Sequence, residues 1–130
     1  MLPLNNYGNI ENFEISVRSD NNSLSVQFRI KNTSLYSQPV SGHVIVVFKG
    51  KEIQQDRWVS IPGVPLVEGR PTGNRQGKAF GISNYKTMRF TASAPQSLEK
   101  FQTASVYVFT HTGELLLEQA FPVELTAVSS

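Results

Sequence analysis

The chain has 130 residues, enough for one domain with a hydrophobic core of its own. Only 17% of the residues are charged, against roughly 25% in an average soluble domain, and the net charge of +2 gives no indication of nucleic-acid binding. Cysteine is absent, which excludes disulfide cross-links and thiolate metal sites.

No stretch of the sequence predicts a membrane span or a signal peptide. The longest apolar run, residues 44–48, is far shorter than the ~20 residues that cross a bilayer. Residues 1–4 lack the basic and apolar regions of a signal peptide. We therefore expect any membrane attachment to come through a segment absent from this chain.

Strict alternation of apolar and polar residues predicts the first two strands. Apolar side chains occupy every second position over residues 13–17 and again over 24–30, and the turn-forming sequence Ser-Asp-Asn-Asn lies between them at 19–22. Successive side chains of a strand point to opposite faces of a sheet. The pattern therefore predicts an antiparallel hairpin with one buried and one solvated face.

The remaining chain continues at the same spacing. Further strands are predicted at residues 42–48, 57–61, 78–82, 87–93, 105–110 and 114–123. The last two flank a short glycine-containing turn at 111–113, and residues 97–100 have the propensity for one helical turn. About eight strands at roughly 8–12-residue spacing predict an all-β, antiparallel, immunoglobulin-like β-sandwich. We place this single domain at 13–125, between tails at 1–12 and 126–130.

A basic segment follows the longest irregular stretch. Residues 62–77 contain three prolines and four glycines, and residues 69–98 contain five bases and no acid, whereas the rest of the chain carries seven bases and ten acids. Loops on a rigid scaffold often carry recognition, and concentrated positive charge attracts anionic partners. The alternative is that sheet alternation scatters these charges over two faces and two loops. The predicted partner-binding residues are Arg70, Arg75, Lys78, Tyr85, Lys86 and Arg89.

Trp58 is the only tryptophan, and two interpretations of it stay open. An exposed indole could stack on a sugar, as aromatic platforms do in sugar-binding sandwiches, whereas a buried indole would be part of the core. The two differ in the exposure that they predict for this side chain.

No catalytic or metal-binding constellation stands out. His43 and His111 are the only histidines and are not close in sequence to a third metal ligand. The Gly-x-Ser-x-Gly motif is absent, and the glutamates alternate with apolar residues or lie near turns, as solvated side chains do. The glycine-rich residues 73–78 lack the spacing of a phosphate-binding loop. We predict a non-catalytic domain without cofactor or metal.

Two stretches carry a resemblance to a known class of domain. Residues 40–50 (VSGHVIVVFKG) and 80–90 (FGISNYKTMRF) resemble a little-characterised class of bacterial envelope domains. In that class a β-sandwich follows a membrane helix and a coiled coil and faces the periplasm. The similarity extends over about residues 13–124 through hydrophobic pattern and a few glycines. It implies a periplasmic or otherwise extracytoplasmic module and transfers no functional residues.

These observations predict a structural or protein-interaction domain of the bacterial cell envelope, part of a longer anchored protein. Its expected partner is another envelope protein, with no nucleic acid, and β-strand addition at an open sheet edge is the expected mechanism. An enzyme would instead need two carboxylates, or a histidine and a carboxylate, in one pocket. The main alternative is a module that binds a glycan or an anionic cell-wall polymer, which requires one concave face formed by Trp58, Arg75, Lys78, Tyr85 and Arg89.

Overall fold

A computed structural model describes residues 8–18, 23–32, 40–72, 77–82, 85–94 and 100–128. Residues 95–99, which contain most of the predicted helical turn, lie outside these ranges. No helix in the described ranges is long and apolar enough to cross a membrane. The described elements are β1 (Gly8–Arg18), β2 (Ser23–Asn32), β3 (Val40–Lys49), a 3₁₀ turn (Gln55–Arg57), β4 (Val59–Ile61), β5 (Leu66–Val67), β6 (Arg70–Pro71), β7 (Lys78–Ile82), β8 (Tyr85–Ser93), β9 (Thr103–Thr110), β10 (Leu115–Pro122) and β11 (Leu125–Val128).

The strands form two main sheets and a small hairpin. Sheet I has the order β11-β1-β2-β8, and sheet II has the order β10-β9-β3-β4, with β7 also paired to β3. Strands β5 and β6 pair with each other. All pairs are antiparallel except β1 with β11. The predicted all-β, antiparallel fold class is confirmed, and β5, β6 and β11 are strands that the sequence pattern does not predict.

One hydrophobic core collects side chains from both sheets. Alternate residues of β2 are buried, from Leu24 to Ile30, as the alternation predicts. Sheet II contributes alternate residues of β3 and β9 to the same cluster, among them Val46 and Val106. The two sheets therefore bury their inner faces against each other, which is a sandwich-like arrangement.

Strand β1 carries a bulge that extends it beyond the predicted start at residue 13. Its register with β2 shifts between Glu11 and Glu14, and Asn12 adopts a φ of 55°. The extra residue reverses the phase of the strand, so that Ile10 and Ile15 both face the core. At the other end of the domain, β11 runs to Val128, beyond the expected boundary at residue 125.

A second apolar layer covers the outer face of sheet II. Ile45, Val47, Tyr107 and Phe109 point away from the main core and are nevertheless buried. The chain after β4 folds back across them and includes the β5–β6 hairpin. The partly buried side chains packed on this face are Trp58, Val64, Leu66 and Leu115. We call this cluster the outer layer. Its presence means that the irregular stretch up to residue 72 is packed structure.

Candidate functional site

The free edge of β8 faces an interrupted edge of sheet II. Strand β8 pairs with β2 on one side, and no described strand pairs with its other side. Across from it, one edge of β3 is shared by two short strands, because β7 pairs with the first half of β3 and β4 with the second half. We call the unpaired side of residues 85–93 the β8 edge.

A cavity of about 730 Å³ lies between these two edges. Its apolar lining includes Ile61 and Phe90, which are buried. Two exposed cationic residues, Lys78 and Arg89, line it as well. The described lining comes from three segments, residues 60–63, 77–78 and 89–92. The cavity lining thus combines apolar contact surface with two cationic residues.

Lys78 and Arg89 are two predicted site residues that the structure brings together. The Lys78 ammonium donates a hydrogen bond to the backbone carbonyl of Arg89 and lies 5.3 Å from the centroid of the Phe90 ring. The Arg89 guanidinium donates from Nε and Nη2 to Oε1 of Gln27, at 3.1 and 2.9 Å. The arginine side chain is therefore held on β2, whereas the lysine reaches from sheet II across to sheet I.

The Lys78 contact identifies which backbone groups are available at the β8 edge. The N–H and C=O of a strand residue point to the same side, and consecutive residues alternate. Since the Arg89 carbonyl points to the free side, the backbone groups of Thr87 and Thr91 do so too. Their side chains are exposed on the outer face of sheet I, whereas Met88 and Phe90 point into the core.

Tyr85 and Lys86 lie at the start of β8. Tyr85 is 60% exposed, and the guanidinium carbon of Arg29 lies 4.7 Å from its ring centroid. Lys86 is also exposed and pairs in register with Ile30. The basic segment does not include Arg29, which belongs to β2 and lies far from that segment in the sequence. The sequence signal that could have identified Arg29 is its place among the polar positions of the alternating pattern that predicts β2.

Arg70 lies on a different surface. It forms an ion pair with Glu118 of β10, and its guanidinium carbon is 5.8 Å from the centroid of the Tyr107 ring on the outer side of sheet II. Arg75 lies outside the described residues. The described members of the basic segment are thus distributed over the outer face of sheet I, the cavity and the outer layer.

Trp58 does not line the cavity. Its indole N–H donates to the backbone carbonyls of Gly50 and Ile53, at 3.2 and 3.1 Å. The half-buried ring packs against both the main core and the outer layer. The Lys49 ammonium lies 5.4 Å from the ring centroid. These contacts place Trp58 as a packing residue between the two apolar clusters.

The chemistry available at the cavity is cationic and apolar. Among the described residues, its lining contains no carboxylate and no histidine. Within the described part of the chain, no three histidine, aspartate or glutamate side chains are grouped closely enough to hold a metal ion. The cavity therefore offers a negatively charged group the Lys78 ammonium and an apolar surface.

Comparison with known proteins gives no family for this chain. No protein-family model and no curated protein matches it. Among solved structures, the chain is similar to a β-glucosidase from Listeria innocua in complex with glucose, with 19% identity and a TM-score of 0.42 over 92% of this chain and 16% of that one. It is also similar to β-glucosidase 3B from Thermotoga neapolitana in complex with alpha-D-glucose, with 18% identity and a TM-score of 0.31 over 90% of this chain and 16% of that one. The chain spans about 16% of the length of these enzymes.

Proposed function

We propose that this chain is a non-catalytic protein-interaction domain that binds a partner by adding one of the partner's strands to the β8 edge. The observation that carries the proposal is a nine-residue strand at the edge of sheet I, beside a cavity whose lining includes Lys78. Unpaired strand edges bind extended peptides through main-chain hydrogen bonds, and neighbouring pockets supply selectivity.

Charge complementarity assigns the partner an acidic segment. Lys78, Lys86 and Arg89 are exposed on or beside the β8 edge, and Arg29 stacks on Tyr85 on the same sheet. Complementary potentials favour encounter with an acidic partner and disfavour a basic one. The expected binding therefore weakens as the salt concentration rises.

The proposal also includes the setting of the domain. We take the two sheets as an immunoglobulin-like sandwich of the bacterial periplasm, carried on a longer membrane-anchored protein. The support is the resemblance of residues 40–50 and 80–90 to envelope domains of that kind. The partner is accordingly another envelope protein.

Replacing Thr91 by proline tests strand addition. The Thr91 N–H points away from β2, so Thr91→Pro removes a donor from the β8 edge without removing one from the β2–β8 ladder. The probe is a decapeptide of alternating valine and threonine with a central glutamate. We expect Thr91→Pro to bind it at least about tenfold more weakly than Thr91→Ala, which keeps the donor.

Amide hydrogen exchange measured by NMR provides the structural readout. Bound peptide is expected to protect the amides of Thr87, Arg89 and Thr91, which face the free side. Equal binding by the two Thr91 variants, or binding that leaves these amides unprotected, would contradict strand addition.

A second candidate function is binding of an anionic cell-wall polymer. Its support is the presence of Lys78 and Arg89 in one cavity lining; the position of Trp58 does not add a sugar platform there. Polymer binding would depend on these two cations and not on the Thr91 N–H. Tight binding of polyglycerol phosphate by both Thr91 variants, without binding of the decapeptide, would favour this candidate over strand addition.

A further inference from the structure

We infer that Lys78 blocks the β8 edge in the free protein and selects partner strands that carry an acidic side chain facing the cavity. This inference rests on the proposed function and deepens it. It names Lys78 as the residue that determines which partner strands bind, and it specifies where the partner strand carries its acidic side chain.

The blocking role follows from the contact between the two sheets. Lys78 belongs to β7 of sheet II, yet its ammonium donates to the Arg89 carbonyl at the free side of β8. That carbonyl lies near the middle of the strand, where an added strand would place one of its own N–H groups. Lysines at sheet edges are a common means of preventing unwanted strand pairing. An added strand that uses the Arg89 carbonyl must therefore displace the Lys78 ammonium.

The selective role follows from what the displaced ammonium meets. A lysine ammonium has three donors and no acceptor, so it needs new acceptors once the Arg89 carbonyl is taken. Among the described residues, the cavity lining contains no carboxylate that could accept from the displaced ammonium. A carboxylate on the added strand would accept a charge-assisted hydrogen bond from Lys78. A neutral strand would offer the ammonium no counter-charge.

The two cations are not equivalent in this respect. The Arg89 guanidinium already donates two hydrogen bonds to Gln27 on the outer face of sheet I. Strand addition leaves that pair in place, because side chains on the sheet face do not occupy the edge. Lys78 is the cation whose partner the added strand removes. The interaction of Lys78, and not that of Arg89, therefore depends on the charge of the partner strand.

The position of the acid within the partner strand is also specified. Side chains of an added strand alternate between the outer face of sheet I and the side of Phe90, which faces the cavity. Only the cavity phase brings a carboxylate to Lys78. Moving the acid by one residue turns it to the opposite face.

Three decapeptides of alternating valine and threonine separate these requirements. In the first peptide, glutamate replaces a central valine. The valine positions face the cavity when the apolar side chains of the peptide cover Phe90, so this glutamate faces the cavity as well. In the second, glutamine replaces the same valine. In the third, glutamate replaces the adjacent threonine. Dissociation constants are measured by NMR titration of the full chain as wild type, Lys78→Met and Lys78→Arg.

Wild-type protein is expected to bind the first peptide about tenfold more tightly than the second, as one added charge-assisted hydrogen bond allows. It is expected to bind the first more tightly than the third as well. Lys78→Met should lose both preferences and bind the glutamine peptide more tightly than wild type does, because the β8 edge is no longer blocked. Lys78→Arg should keep the preference. Lys78 is exposed, so these variants are expected to melt at the wild-type temperature.

The outcomes distinguish this inference from the proposed function. The role of Lys78 would be overturned if wild-type protein bound all three peptides equally, or if Lys78→Met kept the preference for the first peptide. In either case, protection of the Thr87 and Thr91 amides would still uphold strand addition. No protection of these amides by any of the peptides would overturn strand addition and the role of Lys78 with it.

Discussion

At the scale of single residues, Asn12 decides how far the first strand extends. Its φ of 55° lies in the left-handed region, which asparagine and glycine enter at little cost and β-branched residues at a high one. The bulge at this residue brings both Ile10 and Ile15 to the core. In a regular strand, residues five positions apart would point to opposite faces. A period of two predicts the strand only from residue 13, because the alternation reverses phase at the bulge.

We expect Asn12→Val to lower the free energy of unfolding by about 1–2 kcal/mol and Asn12→Gly to leave it near the wild-type value. Asn12 is exposed, so neither variant loses buried apolar surface. Urea denaturation measures both. An equal loss in the two variants would show that the asparagine side chain, and not the backbone conformation, carries the effect.

At the scale of elements, the β5–β6 hairpin behaves differently from the loop that its composition predicts. Its turn contains Glu68 and Gly69, with φ values of 53° and 78°, a combination typical of a tight type I′ turn. Prolines and glycines mark the turns of this stretch but do not reveal that Val64 and Leu66 cover sheet II. The available signal was the run at 44–48, apolar on both faces, since such a strand needs cover on each side.

The Gly69→Ala variant tests whether the outer layer is packed as described. A Cβ there would lie 2.4 Å from Cζ3 of Trp58, and the positive φ adds strain, so we expect a loss of about 1–3 kcal/mol in stability and a red shift of Trp58 fluorescence. Gly63→Ala is the matched control, because nothing lies within 4 Å of its added Cβ. Similar melting temperatures and emission maxima for the two variants would contradict this packing.

At the scale of the whole molecule, a series of stacked rings connects the two sheets. Phe121 of β10 stacks on Phe13 of β1 at 4.4 Å between centroids, and the series continues through Phe28 at 5.9 Å to Phe90 at 5.7 Å. The series therefore runs from sheet II across the inner face of sheet I to the cavity. Aromatic pairs of this kind are worth about 0.5–1.5 kcal/mol beyond the area that they bury.

A double-mutant cycle measures the connection between the sheets. We expect Phe13→Leu and Phe121→Leu to couple by about 0.5–1.5 kcal/mol in the free energy of unfolding. Phe109 belongs to a ring pair on the outer face of sheet II, with Tyr107, and lies at the far end of β10 from Phe121, so Phe109→Leu combined with Phe121→Leu should be additive. Additivity in the first cycle would mean that the ring contact contributes nothing of its own to joining the sheets.

The sequence predicts the fold class and the core alternation because both depend on the local period of two. It identifies Lys78 and Arg89 as site residues but not their meeting, which depends on long-range pairing. Strand β7 joins β3 and strand β8 joins β2, and this assignment brings the Lys78 side chain to the Arg89 carbonyl. The same lack of pairing information hides the position of Arg70, which contacts Tyr107 and Glu118 on sheet II and lies away from the β8 edge.

The shared edge of β3 has an evolutionary consequence. Strands β4 and β7 both pair with β3, so the chain between them, residues 62–77, begins and ends beside the same strand. We call this segment the excursion. Such a closed excursion can lengthen at little entropic cost. It cannot shorten freely, because it covers Ile45, Val47 and Tyr107. A homologue with a much shorter excursion would have to cover this face with a neighbouring domain or a second copy. The length of this segment would therefore indicate, from sequence alone, whether the domain of a homologue is monomeric or packs against another domain or copy.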